Sequence, residues 1–157
     1  MDLVRLVYHS RRRYDRTRAR AEQVDDILAL SAANNQRDDI TGGLVHDPKW
    51  FVQVLEGPDS VVSRTFERIL RDPRHSDVAL VNMQPIPMRR FGAWWMAEAG
   101  YNQETGPLFR HYCESDAFDP QFMLSDRLIE MIDALLRHTA RQEGSRLWVS
   151  RAASSAA

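Results

Sequence analysis

Ile40-Thr41-Gly42-Gly43-Leu44-Val45, then His46-Asp47-Pro48-Lys49, then Trp50-Phe51-Val52-Gln53-Val54-Leu55 is the stretch on which the fold turns. Two runs rich in β-branched, aromatic and aliphatic residues flank a short spacer of turn-forming type, so they read as an antiparallel hairpin. The second run is apolar on both sides. Phe51 and Leu55 point one way with Gln53 between them, while Trp50, Val52 and Val54 point the other. A strand of this kind predicts a cover on each face of its sheet.

Upstream, Leu3-Val4-Arg5-Leu6-Val7-Tyr8 reads as a first strand ending in the polar stretch Ser10 to Thr17. From about 18 to 37 there is no Gly or Pro, and Val24, Ile27, Leu28, Ser31 and Asn35 recur at helical spacing. Downstream, Glu56-Gly57-Pro58-Asp59 stops the third strand. Val61, Val62, Thr65, Phe66, Ile69 and Leu70 then predict a second helix over about 59–71, ended by Asp72-Pro73. Val78 to Met83 is a fourth strand, closed by Pro85 and Pro87, and Ala93-Trp94-Trp95-Met96-Ala97 is a fifth. The order βαββαββ predicts an α+β, ferredoxin-like sheet with both helices on one face. The second face needs a cover of its own. Met123, Leu124, Leu128, Ile129, Met131, Ile132, Leu135 and Leu136 supply it as one apolar stripe on a helix of about 125–142. The expected division is a domain over 1–100, a helical cap over 101–149 and a frayed tail over 150–157.

Composition agrees with a single globular domain. The chain has 157 residues, 43% hydrophobic and 27% charged, with a formal net charge of −1. At this length about 70% of the unfolded surface can be buried, so neither disulfides nor a structural metal are needed. The lone cysteine, Cys113, excludes intramolecular disulfides and Cys-rich zinc sites, and predicts a cytoplasmic location. Apolar runs are only a few residues long, which predicts no signal peptide and no membrane span. Twenty-one basic against 22 acidic residues argues against a dedicated nucleic-acid binder, and the arginines between Arg5 and Arg20 read as a solvated loop and helix start.

Several residues resist a purely structural explanation. Gln53 is an amide in the middle of a buried strand, and left unpaired it would cost about 1–3 kcal/mol. It needs a neighbouring hydrogen-bond partner or a ligand. Asn34 and Asn35 end the first helix, where Asn is common as a cap, although Asn35 continues the apolar stripe. Tyr8 shares a face with Val4 and Leu6, and its hydroxyl needs an acceptor. Arg68 and Asp72, four apart, read by default as a surface ion pair. His75 reads by default as an exposed loop residue, and Trp94, Trp95 and Met96 as core and edge packing.

Taken together, Leu6-Val7-Tyr8-His9-Ser10, Asp26-Ile27-Leu28, Asn34-Asn35-Gln36-Arg37, Ile40-Thr41-Gly42, Phe51 to Gly57, Arg71-Asp72-Pro73-Arg74-His75, and Arg89-Arg90-Phe91 through Met96 closely resemble the blue-light-sensing flavin domains called BLUF. The resemblance covers residues 3 to about 97 in order and spacing. It implies non-covalent FAD, with FMN as an alternative, and an isoalloxazine ring held between the two helices. It also implies that Tyr8 is a redox-active tyrosine and Gln53 a switching glutamine between the phenol and the flavin. Asn35 and Asn34 would meet the ring's polar edge, and Ile27, Phe51 and Ile69 would pack on it. Arg68, Asp72 and His75 would lie around its pyrimidine side and ribityl chain, and Trp94 and Met96 would be the fifth-strand pair that exchanges environment. Departures are His9, the second glycine Gly43, and Trp95 between Trp94 and Met96. Adjacent strand residues face opposite ways, so either Trp94 or Trp95 could be the indole toward the flavin.

No Gly-rich phosphate loop, metal-ligand spacing or nucleophile elbow is present, so no turnover is expected. Residues after 100 are too few for a cyclase or phosphodiesterase output domain. The expectation is therefore a photoreceptor signalling to a downstream protein partner or within a homo-oligomer, a dimer or larger, without nucleic acid or membrane. A ferredoxin-like flavin enzyme, or an RNA- or protein-binding module without photochemistry, are the rival readings. Nicotinamide-driven flavin reduction would mark the first and steeply salt-dependent RNA affinity the second.

Overall fold

Asp47 sets the central hairpin. Its carboxylate accepts from the backbone N–H of Lys49 (2.8 Å) and Trp50 (2.7 Å), closing a turn between β2 (Thr41–His46) and β3 (Trp50–Pro58). In this computed structural model, which describes residues 2–14, 16–143 and 149–150, the hairpin is the middle of a six-stranded sheet. The strand order is β4-β1-β3-β2-β5-β6, with β1 at Leu3–Arg12, β4 at His75–Pro85, β5 at Trp94–Gly100 and β6 at Val149–Ser150. β1 runs antiparallel to both β3 and β4, and β5 runs parallel to β2. Helices α1 (Arg20–Asp38) and α2 (Asp59–Leu70) cross one face. This is the expected ferredoxin-like α+β arrangement.

Strand alternation sorts the side chains into two layers. On the first face Val4, Leu6, Tyr8 and Leu55 pack with Val62 and Phe66 of α2, while Leu44, Phe51 and Met96 pack with Val24, Leu28 and Ala32 of α1. On the second, Val7, Val45, Val52, Val54, Ala97 and Ala99 meet Leu128, Ile129, Met131, Ile132, Leu135 and Leu136 of α4 (Ser125–Glu143). Gly43 shows why this face takes a helix. A Cβ there would lie 2.3 Å from Leu136 Cδ1, so the second glycine is the seat of an α4 leucine.

Between β5 and α4 stands a short helix, α3 (Gly106–Tyr112), which the sequence reading did not resolve; its Phe109 joins the second core beside Phe118. Two further expectations need correction. Leu124 is 79% exposed and is no part of the apolar stripe, because it precedes the first turn of α4. Ser150, expected at the start of the frayed tail, pairs with β5 together with Val149; the rest of that expected tail, 151–157, lies outside the described residues.

One buried ion pair fixes where β5 begins. The carboxylate of Glu56, fully buried on β3, accepts from Arg5 Nε (2.7 Å) and from the backbone N–H of Arg90 and Phe91 (both 3.2 Å). Arg89 donates to the carbonyls of Asp39 (2.8 Å) and Glu56 (3.1 Å) and to Thr41 Oγ1 (3.0 Å). The connection into β5 is thus clamped to β1, β2 and β3 by charge-assisted hydrogen bonds.

Candidate functional site

Tyr8 and Gln53 are direct cross-strand partners in the β1–β3 register, and Leu44 is opposite Gln53 on the other side. The pairing places the phenol against the amide on the face covered by α1 and α2. Tyr8 donates its hydroxyl proton to Gln53 Oε1, and Gln53 Nε2 lies 3.7 Å from Met96 Sδ on β5. The amide therefore uses its acceptor toward one strand and its donor toward another. Both residues are buried, Tyr8 to 4% exposure and Gln53 to 5%. Burial, reinforced by the Asp72 carboxylate and opposed by Arg74, pushes the Tyr8 phenol far above its ordinary pKa. Desolvation of the phenolate is the main cause.

This pair forms the floor of a cavity between the two helices. Ile27 and Ser31 of α1, Leu44 of β2, Phe51 of β3 and Ile69 of α2 form much of its lining; Asp72, Arg74 and His75 complete it. His75 is buried, contrary to the loop expectation, because β4 starts at this residue rather than at Val78. Its Nε2 lies 2.7 Å from the Ile69 carbonyl and its Nδ1 2.7 Å from Ser10 Oγ. A carbonyl can only accept, so Nε2 donates to it, and Nδ1 pairs with the Ser10 hydroxyl. The ring is also edge-on to Tyr8 and Phe51, at 6.2 and 6.5 Å between centroids.

Asp72 pairs with Arg74, which reaches it through Nε at 2.9 Å and through Nη2. Burial alone would raise the Asp72 carboxyl; the Arg74 hydrogen bonds and charge outweigh it and hold the pKa below its ordinary value. The default ion pair with Arg68 does not form. α2 ends at Leu70, so Asp72 is off the helix and the four-residue spacing no longer brings the two side chains together. Arg68 instead donates to Asp38 and Thr65 (3.2 Å each). Asp38 is held down to about 2, chiefly by its Arg37 hydrogen bond and further by Arg68.

Of the residues singled out in the sequence, Tyr8, Ile27, Phe51, Gln53, Ile69, Asp72 and His75 converge on the cavity, and Met96 reaches it through Gln53. Asn35 is buried but is not among the lining residues; its Nδ2 donates to the Trp95 carbonyl at 2.8 Å and so ties α1 to β5. Asn34 lies apart and accepts from Arg37 (3.2 Å), and Arg68 faces a different groove. Neither Trp94 nor Trp95 is among the lining residues. Trp94 packs in the α4 core, beneath the Arg137 guanidinium at 5.8 Å, while Met96 packs in the α1 core. Regular alternation would place Trp94 and Met96 together; the register shift between them in the pairing with β6 accompanies their separation. Ser31, Leu44 and Arg74 were not singled out as site residues. Ser31 lies one turn beyond Ile27 and Leu44 opposite Gln53, and those two spacings were the available signals.

The profile of the family described as "Sensors of blue-light using FAD" (BLUF) matches residues 3–97. Among solved structures, "BlsA photo-activated state" superposes with a TM-score of 0.76 at 29% identity, covering 85% of this chain and 94% of that one. "BlrB - a BLUF protein, dark state structure" gives 0.73 at 30%, covering 85% and 96%. Photoactivated adenylate cyclase subunit beta of Euglena gracilis is 41% identical over 69 residues, 44% of this chain and 8% of that protein. The blue light- and temperature-regulated antirepressor BluF of Escherichia coli (strain K12) is 31% identical over 90 residues, 57% of this chain and 22% of that protein. The chain thus spans only a small part of these two longer relatives. With its profile match over more than half the chain, and whole-length likeness to short solved members, the chain belongs to the BLUF family of blue-light sensors that use FAD.

Proposed function

We propose that Tyr8 and Gln53 are the switch of this sensor and that β5 carries the switch to α4. The observation that carries the proposal is the chain Tyr8–Gln53–Met96, one amide joining a buried phenol on β1 to a side chain of β5 at the floor of the cavity. The cavity suits a flat ring with a polar edge: Ile27, Leu44, Phe51 and Ile69 offer apolar surface, and the Gln53 amide supplies a donor and an acceptor. Bound FAD supplies light absorption and an electron acceptor; the protein supplies geometry.

Tyr8 is the donor in this account. Its phenol stays protonated in the dark because burial disfavours phenolate. Loss of an electron to bound FAD would make the O–H strongly acidic, and its proton would move along the hydrogen bond to Gln53 Oε1 while the amide gives up an Nε2 proton toward the cavity, so that the amide gains no net charge. Gln53 then exchanges its donor and acceptor ends, by rotation or tautomerisation, and its contact with Met96 changes. Electron and proton return to the Tyr8 oxygen in the dark. Asn35, through the Trp95 carbonyl, registers the same strand from α1.

β5 presents Met96 to the cavity and Trp94 to α4. The segment before β5 is joined to α4 by Arg90–Asp133 (3.0 Å), and Asp133 also binds Arg137 (2.7 Å), the residue over Trp94. A shift of β5 therefore alters the seating of α4. The proposed division is a cofactor domain over 1–100 and a signalling cap over 101–149, working through a partner protein or a second copy of the chain. Among the described residues no helix is long and apolar enough to cross a membrane.

Hydrogen exchange tests the route. Protection over Met123 to Arg141 is expected to differ between dark and illuminated protein, since a coupled element must differ in free energy between the two states. Identical protection would make α4 a passive cover and send the signal out by another surface.

A further inference from the structure

The segment joining α3 to α4 carries the two most exposed large apolar side chains among the described residues, Phe122 at 83% and Leu124 at 79%. Their display is fixed by the backbone. Asp119 caps the single turn Pro120–Phe122, its carboxylate accepting from the Gln121 N–H at 3.0 Å, and Met123 follows in extended conformation (φ −99°, ψ 136°). The Met123 side chain packs against the α4 core, so its two neighbours project away from that core together. Leu124 is held at the entry to α4, where its carbonyl accepts from the Leu128 N–H at 3.0 Å. Both exposed side chains also line a groove, with Tyr112, Cys113, Met123 and Arg127. Exposed apolar surface beside such a groove marks an interaction site.

Charge says what covers it. Glu114 and Arg127 both line the groove, and among the described residues neither makes an ion pair; the Arg127 guanidinium donates instead to the carbonyls of Tyr112 (2.9 Å) and His111 (3.1 Å). Asp119, the other carboxylate of the lining, is spent on the Gln121 N–H. A partner of one charge would leave either the acid or the guanidinium uncompensated. A patch that holds its own apolar projections, a groove to receive them and an unpaired charge of each sign is complementary to itself, which is the requirement of a twofold interface. We propose that the α3–α4 segment is a twofold docking surface for a second copy of this chain, with Phe122 and Leu124 of each copy seated in the groove of the other and Arg127 of each facing Glu114 of the other. The surface deepens the reading of the cap as a signalling element, and rests on that reading only for its coupling to light: Met123 joins the α4 core while its neighbours make the contact.

Sedimentation equilibrium of the full chain tests this. A reversible monomer–dimer equilibrium is expected, and Phe122→Ser/Leu124→Ser should weaken it about tenfold or more. The thermal midpoint of the dilute monomer should stay where it was, because both side chains already lie in solvent. Arg127→Glu and Glu114→Arg should each weaken self-association by setting like charges opposite one another, and an equimolar mixture of the two should dimerise again, since both contacts across the twofold axis then join opposite charges. Damage to the fold of either variant could not be repaired in this way. The flavin red shift, recorded on the same samples, should be unchanged, so that failure of the surface and failure of the Tyr8–Gln53 switch are read separately. A chain that stays monomeric, as it would if the patch served a different protein, would overturn the proposal. So would a dimer that survives the Phe122/Leu124 double substitution, or charge variants that fail to associate when mixed.

Discussion

Tyr8→Phe is expected to keep flavin bound and to lose photoconversion altogether. The substitution removes one oxygen from a fully packed ring, so the contacts with Phe66 (5.6 Å between centroids) and His75 are preserved. Stability should fall by about 1 kcal/mol, for one hydrogen bond and an acceptor on Gln53 left without its donor. Function should respond on a different scale, because no other lining residue combines a phenol with a direct bond to Gln53. Blue-light difference spectra of the variant check this. A red-shifted state formed with undiminished yield would mean that another side chain, a tryptophan such as Trp94 or Trp95, is the productive donor.

Gln53→Leu carries the second large effect. Leucine suits a strand whose neighbours Val52 and Val54 are fully buried, so the fold and bound flavin should persist. The Tyr8 hydroxyl would lose its acceptor, at a cost of about 1–3 kcal/mol for an unsatisfied buried group. An apolar side chain has no donor and acceptor to exchange, so the light-induced red shift of the flavin bands should vanish even if electron transfer from Tyr8 continues. Transient absorption with steady-state difference spectra separates the two events. A normal red shift in this variant would remove Gln53 from the switch.

Much of this was legible in the sequence because it followed from alternation. An amide between Phe51 and Leu55 had to face inward, and Tyr8, on the same parity as Val4 and Leu6, had to face the same helices. The long stripe after residue 125 had to cover the remaining face, and it does. What was not legible depended on local departures from regular geometry. Trp94 and Met96 share parity yet enter different cores, across a register shift that spacing alone does not reveal. His75 reads as a loop residue after Pro73, but β4 begins there and the ring is locked between Ser10 and Ile69. Arg68 and Asp72 have helical spacing in a segment where the helix has already ended. α3, seven residues opening Gly106-Pro107, is too short for a periodic signal.

The clamps around β5 suggest why its position can report the cavity. Its N-terminal approach is held by Glu56 and Arg89, its middle meets Gln53 through Met96, and its Trp95 carbonyl is bound by Asn35. In the proposed account a change in the Gln53 amide acts on a strand tied by directional hydrogen bonds and packed between two close-packed layers, so that a displacement is transmitted rather than absorbed.

The most direct test of the account is the side-chain amide of Gln53 itself, observed by NMR in protein carrying ¹⁵N-labelled glutamine, in the dark and under continuous blue light, with Gln53→Leu identifying its signal. The account predicts that the Gln53 amide resonances move on illumination and return in the dark with the flavin absorption, while those of Gln23 and Gln84 stay in place. A flavin band that shifts and recovers while the Gln53 amide remains unchanged would contradict it.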